Sequence, residues 1–363
     1  MRRQPELGGG VSVRIFPENL PNMGYTFKDY TQSGRSGHLS HALVEYKPGC
    51  VLAFYSNCSG TRNRWSPGHN GFGWLEYRRS LDYGDSWSEP TVLDYSMHCL
   101  IEEPFTLSCE KAVSPAENVI VALCLRNENP NGWEPYLEPV ALISEDGGET
   151  WGEPIQITKE KGRVYDALVK DGVIYLLMLA NDDFLAEKPE HRYQLYKSAD
   201  GGKSFELVSE LPFLPHRAYG SMVLRPDGKM EVVIYNADDE YNMDCFLSSD
   251  MGKTWSERET SYCAKRIRNP QLAYTGDGYI LHGRSGCVDQ TLPMDLVLYT
   301  GKDCIHWDEG TIVCTVPGDT AYYSNNLVLT RPDGSRRAIL QSSVPNGMGK
   351  GRTNISQWII EFE

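Results

Sequence analysis

The sequence has no apolar run approaching the roughly 20 residues a membrane helix needs. It has no Cys-x-x-Cys pair and almost no apolar repeat at helical spacing. The first absence excludes a membrane-spanning helix. The second leaves the ten cysteines without a zinc or disulfide framework. Several of them, such as Cys124 in VIVALCLRN and Cys245 in MDCFLSS, sit inside strand-like runs and read as small buried hydrophobes. The third argues against any helical or α/β domain. The eight histidines are scattered, so no ligand-spaced cluster appears, and neither a metal nor another cofactor is expected. Positive charge is also short, with 35 Lys and Arg against 49 Asp and Glu and a net charge of −14. That balance argues against nucleic acid or an anionic membrane surface as partner, although a local arginine cluster can still hold a small anion. The opening MRRQPELGGG carries two arginines with no apolar stretch behind them, which is not a secretory signal. A cytoplasmic location is therefore expected, with secretion open if a leader has been removed.

Glycine (34), tyrosine (21) and tryptophan (8) are plentiful, as many tight turns between short strands require. One turn recurs. SLDYGDSW starts at Ser80, SEDGGETW at Ser144, SADGGKSF at Ser198 and SSDMGKTW at Ser248, with a worn copy, TGKDCIHW, at Thr300. The starts are 64, 54, 50 and 52 residues apart, near the roughly 40–50-residue periods of propellers and other repeat arrays. In each copy Asp and Ser can bond nearby backbone N–H groups, Gly can take a positive φ, and the aromatic can fold the turn onto a sheet.

Ahead of each turn lies a second unit, a strand, a Gly-containing turn and a strongly apolar strand. Its six copies occupy 39–57, 107–127, 164–181, 218–236, 268–286 and 322–343. Each reads as a hairpin; a third strand leads into the Ser-x-Asp turn and a fourth follows it. Four antiparallel strands repeated six times predict an all-β chain, a single six-bladed β-propeller domain spanning 1–363. The sixth copy lacks a turn motif and the chain ends on ISQWIIEFE. The N-terminal VSVRIF is expected to join that last blade, closing the ring and covering an edge.

The pattern Ser-x-Asp-x-Gly-x-Ser/Thr-aromatic resembles the Asp-box, and six blades carrying it resemble the sialidase (neuraminidase) superfamily over nearly the whole chain. The resemblance puts a ligand at the ring axis, over the starts of the inner strands and the ends of the second strands. Read in register, those second-strand ends are Asn57, Arg126, Asn181, Asn236, Arg284 and Ser342. A polar residue closes an apolar run in every repeat, either to face a ligand or simply to begin a solvated loop. The resemblance further implies a tyrosine nucleophile assisted by a glutamate, an aspartate acid/base and three arginines on a substrate carboxylate. Such enzymes depart from the two-carboxylate scheme, because an anionic nucleophile would be repelled by the sugar acid.

Tyr323-Ser324 in AYYSNNLVL resembles the tyrosine motif, with Tyr322 as the alternative register. Arg284 resembles the second arginine of the triad and stands fifteen residues after the glutamate position, which Asn269 holds here. The Arg-Ile-Pro segment of the family reads Leu39-Ser40-His41, and the loop 58–74 contains no acid. The family's acids are therefore missing from their expected places. Asp166 and Glu103 are the substitutes expected for proton transfer. Arg126, Arg268 and Arg217 are expected to complete an anion clamp with Arg284, beside His41, Tyr322, Asn181 and Asn236 as further substrate-binding groups. The aromatics Trp65, Trp74 and Trp133 are candidates for stacking on sugar faces. The resulting expectation is an exo-acting, sialidase-like glycoside hydrolase whose partner is a terminal, plausibly anionic sugar. Two alternatives stand beside it, a carbohydrate-binding propeller without turnover and a protein-interaction scaffold.

Overall fold

A computed structural model describes residues 8–18, 22–59, 72–103, 105–128, 137–180, 191–285, 294–316, 322–349 and 351–363. It contains six antiparallel sheets in a propeller arrangement. Blade one runs from the interrupted inner strand Arg35–Ser36 and Leu43–Lys47 through Cys50–Ser59 and Gly73–Ser80 to Thr91–Val92. Blade two is Phe105–Ala116, Val119–Glu128, Val140–Ser144 and Ile155–Gln156; blade three is Gly162–Lys170, Val173–Ala180, Arg192–Ser198 and Glu206–Leu211. Blade four is Arg217–Leu224, Met230–Asn236, Asn242–Ser248 and Glu259–Tyr262; blade five is Arg268–Tyr274, Tyr279–Arg284, Met294–Gly301 and Thr311–Val316. Blade six is Ser324–Thr330, Arg336–Pro345 and Thr353–Phe362, and Val13–Phe16 adds its fourth strand. The N-terminal strand pairs antiparallel with the C-terminal one, from Val13 opposite Phe362 to Phe16 opposite Ile359. The edge that the sixth repeat leaves open is thus covered by the other end of the chain.

Backbone contacts divide the chain into two compact units. One is Met1–Thr26, Pro212–Ser342 and Ser356–Glu363; the other is Phe27–Leu211 and Ser343–Ile355. In the second, the aliphatic second strands of blades one and two, with Leu52, Phe54, Ile120, Ala122 and Cys124, bury almost completely. In the first, Tyr235, Leu281, Tyr299 and Trp307 form the matching core. Burying one such large side chain contributes about 1.5–3 kcal/mol. Nine cysteines are described, all buried and unbridged; Cys287 lies outside the described residues.

The repeated turn works as its chemistry requires. In blade two Ser144 Oγ donates to Asp146 Oδ1 at 2.7 Å and accepts from Gly148 N at 2.7 Å. Asp146 then accepts from Thr150 N and Thr150 Oγ1 at 2.9 and 2.6 Å. The Ser198 and Ser248 copies repeat this within 0.1 Å (2.8, 2.8, 2.9 and 2.6 Å; 2.8, 2.7, 2.9 and 2.7 Å). Gly148 sits at φ 88°, where a Cβ is strained. The turn also does something its local pattern does not announce. Tyr77 Oη and Arg79 Nη1 of blade one donate to Gly148 O and Gly147 O of blade two, at 2.8 and 2.6 Å. The loop is a rivet between neighbouring blades as well as a hairpin.

Among the described residues one short helix, Asp94–Ile101, interrupts the all-β pattern. It has no side-chain N-cap bond. Ser96 Oγ instead donates to Leu93 O at 2.6 Å and accepts from Leu75 N at 2.9 Å, pinning the helix to blade one. Tertiary bonds therefore replace the missing local start signal.

Candidate active site

The inner strands share an irregularity. The register of each against its neighbour slips at Glu110, Tyr165, Tyr219 and Asn269–Pro270, in blades two to five. Bulges of this kind re-aim a side chain beside the ladder. Tyr219 and Asn269 hold φ of 46° and 52° there, and Ser40, before the inner strand of blade one, holds 68°.

In the unit that contains Pro212–Ser342, Tyr323 precedes the inner strand of blade six and Arg284 ends the second strand of blade five. The Arg284 guanidinium carbon lies 4.7 Å from the Tyr323 ring centroid. Both residues are buried, at 3% and 6% exposure. Tyr219 Oη, from the bulge of blade four, is 3.3 Å from Tyr323 Oη. The Tyr219 ring stacks on Tyr235 with centroids 6.3 Å apart. Arg268, the cross-strand partner of Arg284, places Nε 3.3 Å from both Tyr235 Oη and Glu240 Oε1. Burial pushes the Glu240 carboxyl above the usual range, with Arg268, Arg266 and Arg284 pulling it back. Glu240 Oε2 has no hydrogen-bond partner among the described residues. The site thus carries stacked phenols, two guanidiniums and one buried carboxyl.

The adjacent tyrosine behaves differently. Tyr322, expected among the substrate-binding groups, is fully buried, and its hydroxyl donates to Cys314 Sγ at 3.2 Å. Its φ of 64° turns the chain, so that the two neighbouring tyrosines have separate surroundings. Tyr322 is a packing residue. Arg217 and Asn236 bond each other at 2.9 Å, and Asp244 receives Arg217 Nε at 2.8 Å and Arg258 Nη1 at 3.2 Å. This buried strut ties three strands of blade four and engages the groups expected to clamp substrate.

The other unit holds a second polar cluster on the inner strands of blades one to three. Asp166, at 1% exposure, pairs with Lys111 Nζ at 2.8 Å and accepts from Ala167 N at 2.8 Å. Arg163 Nε donates to Glu110 Oε2 at 3.0 Å. His41 Nε2 is 3.0 Å from His38 O. Burial lowers the His41 imidazole to about 4, the Arg163 charge adding to the effect, so it is neutral near pH 7. Arg126 is engaged by Glu138, through its carbonyl at 2.8 Å and its carboxylate at 3.1 Å. Glu103 is exposed beyond the short helix. Trp74 donates to Glu76 at 2.8 Å beneath the Arg35 guanidinium. Asn181, Trp65 and Trp133 lie outside the described residues.

The polar second-strand ends therefore divide. Asn57 donates to Glu76 at 2.6 Å, Arg126 bonds Glu138, and Asn236 joins Asp244 through Arg217. In these three blades the polar end is anchored within its own blade. Arg284 instead meets a tyrosine from the next blade. Sequence reading missed Tyr219, Tyr235 and Glu240. Only alignment of the slipped positions across repeats, Glu110 with Tyr165, Tyr219 and Asn269, carries a signal for the first.

Together the six sheets define a six-bladed propeller, with a tyrosine–arginine cluster at the strand ends of blades four, five and six. No family model matches the chain. A sialidase from Paraclostridium sordellii is 22% identical over 199 residues, 49% of this chain and 48% of that protein, so the match spans about half of the curated relative. Among solved structures, the Hadza microbial sialidase Hz136 superposes with a TM-score of 0.65 at 14% identity, covering 93% of this chain and 68% of that one. An α-L-arabinanase from Penicillium chrysogenum, complexed with arabinobiose, superposes at 0.62 with 16% identity, covering 92% and 97%. Likeness at these identities establishes the fold.

Proposed function

We propose that the protein is a glycoside hydrolase of sialidase-like type, acting on a terminal anionic sugar at the Tyr323–Arg284 cluster. The observation that carries this reading is the guanidinium of Arg284 4.7 Å from the Tyr323 ring, with a second phenol 3.3 Å from the Tyr323 hydroxyl. Negative charge developing on the Tyr323 oxygen during reaction would meet a hydrogen-bond donor in Tyr219 and a nearby positive charge in Arg284. The planar fork of Arg284 also suits a sugar carboxylate. Because the arabinanase with arabinobiose has a comparable fold, the acidic-sugar reading rests on Arg284 and not on architecture.

Glu240 fits the proton-transfer role better than Asp166 or Glu103. Asp166 is held by Lys111, and Glu103 is open to solvent. Glu240 is buried within the field of Arg284, and its raised carboxyl stays protonated over a wider pH range, as a general acid requires. A non-catalytic carbohydrate-binding propeller is the second reading, favoured by Asn269 at the glutamate position, since an amide takes no proton from tyrosine. Turnover of 4-methylumbelliferyl N-acetylneuraminide by wild type, Tyr323→Phe and Glu240→Gln separates the two. The hydrolase reading expects turnover in wild type and its loss in Tyr323→Phe with sugar binding retained. Binding of N-acetylneuraminic acid without any turnover selects the lectin-like reading.

A further inference from the structure

Asn269 combines two costs in one residue. Its φ of 52° lies in the left-handed region, and it is 5% exposed. Neither Oδ1 nor Nδ2 has a hydrogen-bond partner among the described residues. A buried amide without partners destabilises a fold, and native proteins satisfy nearly all such groups. The bulge that frees Asn269 from the ladder stands where Tyr219 stands in blade four.

The position of that bulge is fixed by its neighbours. The inner strand Arg268–Tyr274 packs between Arg217–Leu224 and Ser324–Thr330. Tyr219, from one flank, reaches the hydroxyl of Tyr323, from the other. Asn269 lies on the strand between them. Its chain neighbour Arg268 is the cross-strand partner of Arg284, which faces the Tyr323 ring.

We infer that Asn269 is a specificity-determining residue of this site, binding two adjacent hydroxyls of the sugar whose acid Arg284 holds. One hydroxyl donates to Oδ1 and the other accepts from Nδ2, which satisfies both ends of the amide at once. The assignment rests on the functional reading above. It adds to that reading a requirement for a neighbouring pair of hydroxyls. It also explains why an amide, which cannot act as a base, occupies this position.

The test measures the melting temperature of the ligand-free protein and calorimetric titration with N-acetylneuraminic acid, for wild type, Asn269→Gly and Asn269→Asp. Glycine keeps the positive φ and removes the amide. Asn269→Gly is expected to melt at or above wild type without ligand, and to bind the sugar at least tenfold more weakly. Asn269→Asp keeps the shape, loses the donor and sets a charge near Arg284, so it is expected to lose at least as much affinity. A ligand-free melting temperature several degrees lower in Asn269→Gly would show that the amide supports the fold, and would overturn the assignment. Unchanged affinity in either variant overturns it too, while leaving the functional reading in place. If wild type binds no N-acetylneuraminic acid, the acidic-sugar reading falls and this assignment with it.

Discussion

Arg284 and Tyr323 come from neighbouring blades, 39 positions apart in the chain, and meet with the guanidinium carbon 4.7 Å from the ring centroid. Cation and ring hold each other in place, a contact worth about 0.5–2 kcal/mol, while the tyrosine hydroxyl stays beside Tyr219. Tyr323→Phe keeps the ring and removes the hydroxyl. Turnover is expected to fall by about 10²-fold or more, with affinity for N-acetylneuraminic acid changed less than about threefold. Arg284→Lys keeps the charge without the fork and is expected to weaken binding about tenfold. Equal weakening toward the methyl ester of the same sugar would show that Arg284 supports the pocket without reading charge.

The lowered His41 gives the protein an acid sensitivity of definite sign. In the unfolded chain the imidazole binds a proton near pH 6.5, whereas in the fold it does so only near 4. The stability it contributes is present above about pH 6.5 and is lost as pH falls toward 4. Between pH 7 and pH 5 wild type is expected to lose roughly 2 kcal/mol more than His41→Gln, measured by urea unfolding at both values. Parallel losses in the two proteins would contradict a buried neutral imidazole.

Lys111 is the counterion of a carboxylate at 1% exposure. Lys111→Met leaves Asp166 without that counterion and is expected to cost about 3–5 kcal/mol. The double variant Lys111→Met with Asp166→Leu removes both charges and is expected to recover most of it. Chemical denaturation of the three proteins checks this; a double variant no better than the single one would mean that other partners of Asp166 dominate.

Asp146 accepts from Thr150, Glu149 and Ser144, and its Thr150 bonds foremost hold the carboxyl down to about 2. A lowered acid contributes stability above its unfolded value near 3.9 that is lost as pH falls toward 2. Asp146→Ala is expected to lower stability by roughly 1–2 kcal/mol near neutral pH. Any activity of the folded fraction should be unchanged, because the turn rivets blades and lies outside the tyrosine cluster. A stable, inactive variant would relocate the site.

What the sequence determined by itself was local. Alternating apolar residues and Gly- and Asp-bearing turns specify six hairpin units and their repeated loop, because strand period and turn φ depend on a few consecutive side chains. The pairing of the two termini followed from one missing strand. The helix at Asp94–Ile101 stayed hidden, since its anchor, Ser96 to Leu75, reaches another element. The site was legible only in part. Arg284 stood out in the repeat register and Tyr323 in its motif, yet the same register also marked Asn236, which Arg217 joins to Asp244. Only the folded chain decided that Tyr322 faces Cys314 while Tyr323 faces Arg284, and that Glu240 approaches Arg268. A bulge redirects a side chain by a slip in pairing that leaves little trace in composition. A polar residue's role depends on which strand supplies its partner, and that is settled only when the blades assemble.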